Sequence, residues 1–162
     1  NGGVSPLGNG GVRYVGSPDD AGLNAAIPRS KADPQAVARF AADVDHQGRF
    51  AVPVISAHAI NDATVFVEGQ DTLRQRMVAA GNGGRLVQAF VDSKEHSYWG
   101  DAHYPPLFEA LLNWVEKGQK PTPAGVAQRC QQLQVSRAAP ATACAYLPDY
   151  VVKPLAARVL PR

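Results

Sequence analysis

The feature of this sequence that most constrains its fold is a continuous apolar run between two polar turns. Residues 50–57 (FAVPVISA) are apolar and β-branched, and a second run, LVQAFV, occupies residues 86–91. Apolar residues at successive positions are typical of strands that are buried on both faces of a parallel sheet. The two runs therefore predict two strands, although Pro53 argues against full pairing because its nitrogen cannot donate to a ladder.

Three helical segments flank and separate the two runs. The first is predicted to begin at residues 33–34, where Asp is a good N-cap and Pro is favoured at the first helical position. The second covers residues 70–80, and the third runs from residue 105 to Gly118, a helix-ending glycine. The order helix, strand, helix, strand, helix predicts the α/β class, with a parallel sheet and right-handed crossovers.

Two parallel strands alone leave an open edge and apolar faces that need neighbours. We therefore expect residues 32–124 to dock onto a larger parallel sheet that is supplied from elsewhere. Residues 1–31, rich in Gly, Asn, Pro and Ser, are predicted to be an irregular covering segment. Residues 125–162 are predicted to be an extended or irregular tail.

The distribution of charge gives no indication of nucleic-acid binding. Sixteen Lys and Arg face fourteen Asp and Glu, the formal net charge is +2, and no basic stripe is visible. The longest apolar stretch, residues 50–60, is too short to span a bilayer, so no membrane association is expected. The chain opens Asn-Gly-Gly without a signal peptide, which we interpret as trimming or proteolytic processing.

The two cysteines, Cys130 and Cys144, are fourteen residues apart in a segment rich in Pro and Ala. A disulfide between them would close a short loop and would suit an oxidising compartment. Two free buried thiols are the alternative. We expect the disulfide and, with it, a secreted or periplasmic location.

Polar residues follow both predicted strands, at the edge where functional residues of α/β sheets collect. Asp62 follows the first strand in SAHAIND, and His96 follows the second in VDSKEHSYW. Because adjacent parallel strands bring such loops side by side, we expect the carboxylate to contact the imidazole. That contact would hold one tautomer and stabilise the imidazolium, as in a catalytic triad. A turn-forming Asn-Asp pair and a hydrated loop histidine are the non-catalytic interpretations.

The region around this pair resembles the closing third of the α/β-hydrolase esterases, most strongly over residues 50–121. The matching motifs are a strand ending His-x-x-x-Asp (His58 to Asp62), a helix ending Ala-Ala-Gly (79–81), a strand leading to His96, and Leu-Leu-Asn-Trp-Val-Glu-Lys-Gly (111–118). The chain order, acid before histidine, also fits that family. The resemblance implies a Ser–His–Asp hydrolase in which Asp62 orients His96 and His96 is general base, then general acid.

The nucleophile of such an enzyme has no counterpart in this sequence. The family places its serine in a G-x-S-x-G elbow upstream of the acid, and no serine here has that context. The resemblance therefore implies that residues 32–124 are the C-terminal half of an α/β-hydrolase domain, completed by a partner chain or a missing N-terminal half. A larger partner chain would carry the serine and the oxyanion hole, and this chain would be the smaller part of a nicked or two-subunit esterase. A small-molecule or polyester ester is the expected substrate, with no cofactor. A serine peptidase or amidase and a non-catalytic interaction domain are the alternatives.

Four further residues near His96 are predicted to bind substrate: Tyr98, Trp99, His103 and Tyr104. The aromatic side chains suit the wall of an acyl or aryl pocket, or they anchor the loop to the last helix. His103 is the main rival of His96 as the base. A zinc site formed by His58, Asp62, His96 and His103 is a further alternative, but their spacing does not place a ligand pair on one helix.

Overall fold

The structure, a computed structural model, describes residues 3–136 and 144–155. The chain divides into two compact units, one within residues 1–46 and the other within residues 47–158. The helices are α1 (Asp20–Ala26), α2 (Pro34–Val44), α3 (Gly69–Ala79), α4 (Tyr104–Lys117) and α5 (Pro123–Ser136), and the strands are β1 (Val54–Ala59) and β2 (Leu86–Val91). Within the described residues no helix is long and apolar enough to cross a bilayer.

The two apolar runs form a two-stranded parallel sheet. β1 and β2 pair in register, from Val54 opposite Leu86 to Ala59 opposite Val91, and α3 connects them. β2 coincides with its predicted run, whereas β1 begins after Pro53, so the proline lies outside the ladder, where its missing N–H is harmless. The mixed helices and parallel strands agree with the predicted α/β class.

Two helices begin and end within one residue of the positions that the sequence indicated. The Asp33 carboxylate accepts a hydrogen bond from the Ala36 N–H at 2.8 Å and caps α2, with Pro34 in its first turn. α4 begins one residue earlier than predicted and ends at Gly118, whose φ of 69° is left-handed. Glycine suits that position because it has no Cβ to clash with the backbone.

The structure corrects two expectations about the ends of the chain. Residues 1–31 are not irregular throughout, because α1 forms there and is capped by the Asp19 side chain. The tail predicted for residues 125–162 is wrong over its first part, which belongs to α5. Pro123 is the first residue of that helix, where a proline leaves no backbone bond unmade. Residues 137–143 and 156–162 of the predicted tail lie outside the described residues.

A short segment after α5 lies along the edge of β2 that does not face β1. We call residues 144–147 the strap. Its Tyr146 forms an antiparallel bridge with Val91, and the Leu147 N–H donates to the Phe90 carbonyl at 2.8 Å. A disulfide between Cys144 and Cys130, with Cα atoms 6.0 Å apart, ties the strap to α5. The predicted cysteine pairing is therefore present in the structure.

The core of the second unit lies between the sheet and helices α3 and α5. Its most deeply buried apolar side chains include Met77 on α3, Val91 on β2 and Val126 on α5. By contrast, Phe108, Leu112 and Val115 on α4 are 65%, 55% and 60% exposed. Their spacing places them on one face of the helix, which we call the α4 stripe. A substantial part of the apolar pattern that predicted α4 is thus not covered by described residues.

We expect Met77→Ala to lower the free energy of unfolding by about 2–5 kcal/mol, because it leaves a cavity where a fully buried side chain packs. The neighbouring Val78→Ala is the matched control, since that side chain is 56% exposed, and its cost is expected to stay within about 0.5 kcal/mol. Urea unfolding of both variants measures the difference. Equal losses would contradict the position of the core.

Candidate active site

The loops that follow β1 and β2 are joined by backbone hydrogen bonds at the carboxyl end of the sheet. The Ile60 N–H donates to the Val91 carbonyl and the Asn61 N–H donates to the Ser93 carbonyl, each at 3.0 Å. The Asn61 side-chain amide also donates to the Asp92 carboxylate at 3.3 Å. These bonds hold the residues just before His96 against the residues just before Asp62.

The structure brings Asp62 and His96 into direct contact, as the sequence predicted. Nδ1 of His96 lies 2.8 Å from Oδ2 of Asp62. The Asp62 side chain is 3% exposed, whereas the His96 side chain is 47% exposed. The pair therefore consists of a buried carboxylate and a half-exposed imidazole.

The second oxygen of Asp62 is also hydrogen-bonded. Oδ1 accepts the N–H of Thr64 at 2.7 Å and the N–H of Val65 at 3.0 Å, which closes an Asx-type turn. Burial raises the pKa of Asp62, but the hydrogen bond from His96 and the two backbone N–H groups outweigh it and lower the pKa from 3.8 to about 2. Asp62 is thus ionised at neutral pH and acts only as an acceptor.

The contact with Asp62 assigns the tautomer of the neutral His96 ring. A carboxylate can only accept, so the proton lies on Nδ1 and the lone pair lies on Nε2. No described residue forms a hydrogen bond with Nε2, and the ring is half exposed. An imidazole in this state can take a proton at Nε2 while the carboxylate stabilises the resulting cation. The geometry of the pair would allow His96 to act as a general base that Asp62 orients.

The aromatic residues after His96 anchor their loop to the start of α4. The Tyr104 hydroxyl accepts the Trp99 N–H at 3.3 Å, and the rings of Tyr98 and Trp99 each stack near-parallel with the Tyr104 ring, with centroids 6.0 Å apart. The Trp99 indole N–H donates to the Glu95 carbonyl at 2.9 Å. Tyr98 is 56% exposed and keeps a surface free for other molecules. Substrate contact by these aromatic residues stays a prediction.

Two other histidines occupy packed positions. His103, predicted to bind substrate, is buried and accepts the Ala145 N–H at Nε2, so its ring faces the strap rather than an open entrance. This correction also removes the main rival of His96, because both polar atoms of the His103 ring face backbone groups. His58 is buried, with Nδ1 2.8 Å from the Ala59 carbonyl.

The structure gives no support to the alternative of a zinc site. Among the described residues no three His, Cys, Asp or Glu side chains gather in a group that could hold a metal ion.

A cleft of about 550 Å³ lies along β2, but it does not contain the candidate pair. Its lining includes Leu86, Gln88, Phe90, Lys120 and Tyr150, and neither Asp62 nor His96. The cleft is therefore not evidence for a substrate pocket at His96.

Three residues that hold the site in place through their backbone were not predicted from the sequence. Thr64 and Val65 hold Asp62 through their backbone, which the Asp-x-Thr spacing of an Asx turn could have indicated. Ala145 contacts both Asp92 and His103 through its backbone alone, so its side chain gives no signal.

Comparisons with known proteins add no family to this geometry. Neither a protein-family model, nor a curated protein, nor a solved structure matches the chain.

The low pKa of Asp62 predicts how its contribution to stability changes with pH. The contribution is complete above the ordinary pKa of 3.8 and is lost as the pH falls towards about 2. We therefore expect the difference in unfolding free energy between the native protein and Asp62→Asn to shrink from about pH 5 to about pH 2. Urea unfolding across this range measures it, with the exposed Asp149→Asn as control. A difference independent of pH would contradict the assignment.

Proposed function

We propose that this chain supplies the acid Asp62 and the base His96 of a serine carboxylic-ester hydrolase, whose nucleophile lies on another polypeptide. The observation that carries the proposal is the 2.8 Å contact between a buried, ionised carboxylate and a half-exposed imidazole. The pair follows two neighbouring parallel strands at their carboxyl ends, where catalytic residues of α/β enzymes collect.

The chemistry follows from the tautomer of His96. Nε2 removes the proton from a serine hydroxyl as the oxygen attacks the ester carbonyl, and Asp62 stabilises the imidazolium. The partner chain supplies the serine and the donors that stabilise the tetrahedral oxyanion. His96 then protonates the leaving alcohol, which yields an acyl-enzyme. Water activated by the same nitrogen releases the acid. This sequence of steps needs no metal or cofactor.

Two surfaces that no described residue covers favour the presence of a second polypeptide. No described strand pairs with the second edge of β1. The side chains of Val54, Ile55 and Ala57 on β1 are only partly buried, whereas Leu86 and Val87 opposite them on β2 are buried. The α4 stripe adds three exposed apolar side chains. We infer that the partner extends the sheet at β1, which makes this chain the C-terminal part of an α/β-hydrolase fold.

The disulfide supports an oxidising location for the enzyme. Such bonds persist in secreted and periplasmic proteins and are rare in reducing compartments. The Cys130–Cys144 bond is therefore consistent with a secreted or periplasmic esterase. Its substrate would be a small-molecule or polyester ester.

Substitution tests the roles of the two side chains in the complete assembly. We expect His96→Ala to lower kcat on an aryl ester by at least about four orders of magnitude, and Asp62→Asn by about 10⁴-fold, because the amide favours the wrong tautomer. Thermal unfolding shows that each variant is folded. The exposed His46→Ala is the control and is expected to retain activity. Retention of turnover by His96→Ala would remove His96 from the mechanism.

A serine-directed fluorophosphonate tests where the nucleophile lies. We expect the label on a serine of a co-purifying polypeptide and none on this chain, because no serine here stands in a nucleophile elbow. Intact-mass spectrometry of the separated chains identifies the labelled one. Absence of label from every co-purifying chain would favour a non-catalytic interaction domain. Turnover of peptide anilides in preference to aryl esters would favour an amidase.

A further inference from the structure

One residue of the strap is hydrogen-bonded to both ends of the loop that carries His96. We call residues 93–102 the His96 loop. At its start, the Asp92 N–H donates to the Ala145 carbonyl at 2.8 Å. At its end, the Ala145 N–H donates to Nε2 of His103 at 3.1 Å. The peptide groups of a single residue therefore link the two ends of the loop to each other.

The hydrogen bond from Ala145 to His103 requires one particular tautomer of the His103 ring. Nε2 can accept the Ala145 N–H only when it carries a lone pair, which places the ring proton on Nδ1, 3.4 Å from the Gly100 carbonyl. Burial lowers the pKa of His103, which favours the neutral ring. The hydroxyl of Tyr146 donates to the His103 carbonyl, and the two rings meet edge to face at 5.3 Å. His103 is thus held by two successive residues of the strap.

The disulfide fixes the strap beside this contact. Cys144 immediately precedes Ala145, and its bond to Cys130 anchors it to α5. Cys130 is itself buried, with its sulfur 3.2 Å from the carbonyl of Ala102, the residue before His103. The strap therefore cannot move away from the His96 loop without moving α5 or breaking the covalent bond.

These end contacts add to the contacts with Tyr104 that hold the middle of the His96 loop. His96 is half exposed, and its ring contact with Asp62 is a single hydrogen bond. A catalytic group displaced by about 1 Å loses about 10²-fold in rate, so the loop must be held closely.

We propose that His103 is a positioning residue, which accepts the Ala145 N–H and thereby holds the His96 loop with the His96 ring aimed at the nucleophile. Its effect on turnover rests on the proposed esterase function, but its effect on the loop does not.

A matched pair of amide variants tests the acceptor. The side-chain amide of His103→Gln extends as far as Nε2 and can accept from Ala145, whereas that of His103→Asn extends only as far as Nδ1. In the complete assembly we expect the Asn variant to lower kcat on an aryl ester by about 10- to 100-fold with KM within about twofold. The Gln variant is expected to recover kcat to within about threefold of the native value. Equal kcat values for the two variants would overturn the proposal.

Nuclear magnetic resonance of the native assembly tests the same contact without any variant. We expect Nε2 of His103 to be unprotonated and to show a scalar coupling to the Ala145 amide nitrogen across the hydrogen bond. A proton on Nε2 of His103 would overturn the proposal even if the Asn variant failed to fold.

The same spectra separate this inference from the proposed function. The Nδ1 proton of His96, hydrogen-bonded to Asp62, is expected downfield in the native and Gln proteins and broadened in the Asn protein. That pattern without esterase activity would support the positioning role and reject the esterase. Esterase activity with an unchanged His96 proton in the Asn variant would reject the positioning role alone.

Discussion

The parallel pairing of β1 with β2 is the constraint on which the rest of the second unit depends. The strands pair in register from Val54 opposite Leu86 to Ala59 opposite Val91, so their carboxyl ends lie side by side. A slip of one residue would turn every side chain of one strand to the other face and would separate the loops beyond it. The contact between Asp62 and His96 is thus a consequence of strand register, which brings two side chains 34 positions apart in the sequence to 2.8 Å from each other.

Within the pair, the two side chains have opposite environments for a physical reason. Asp62 is buried and yet ionised because three hydrogen bonds, from His96, Thr64 and Val65, replace its water. His96 keeps access to solvent, so a proton can be exchanged at its outer nitrogen. Burial fixes the orientation of the Asp62 carboxylate, and exposure leaves the His96 imidazole accessible to other molecules.

The sequence was informative where side chains determine the structure. Continuous apolar runs predicted β2 closely and β1 with a shift that Pro53 explains, and the end-of-strand rule predicted the contact between Asp62 and His96. It was uninformative where the backbone makes the contact, as at Ala145. It failed at α5, whose weak amphipathic pattern and initial proline resembled an irregular tail, and at His103, whose burial depends on a strap distant in the sequence.

No described strand covers the second edge of β1, and this has a consequence for the chain on its own. A strand whose second edge pairs with no described strand can act as a template for an extended polypeptide, including another copy of itself. A cognate chain that covers the edge would also protect against fibrous or amorphous self-association. For the proposed two-chain esterase, balanced synthesis of both chains would then be a requirement for solubility.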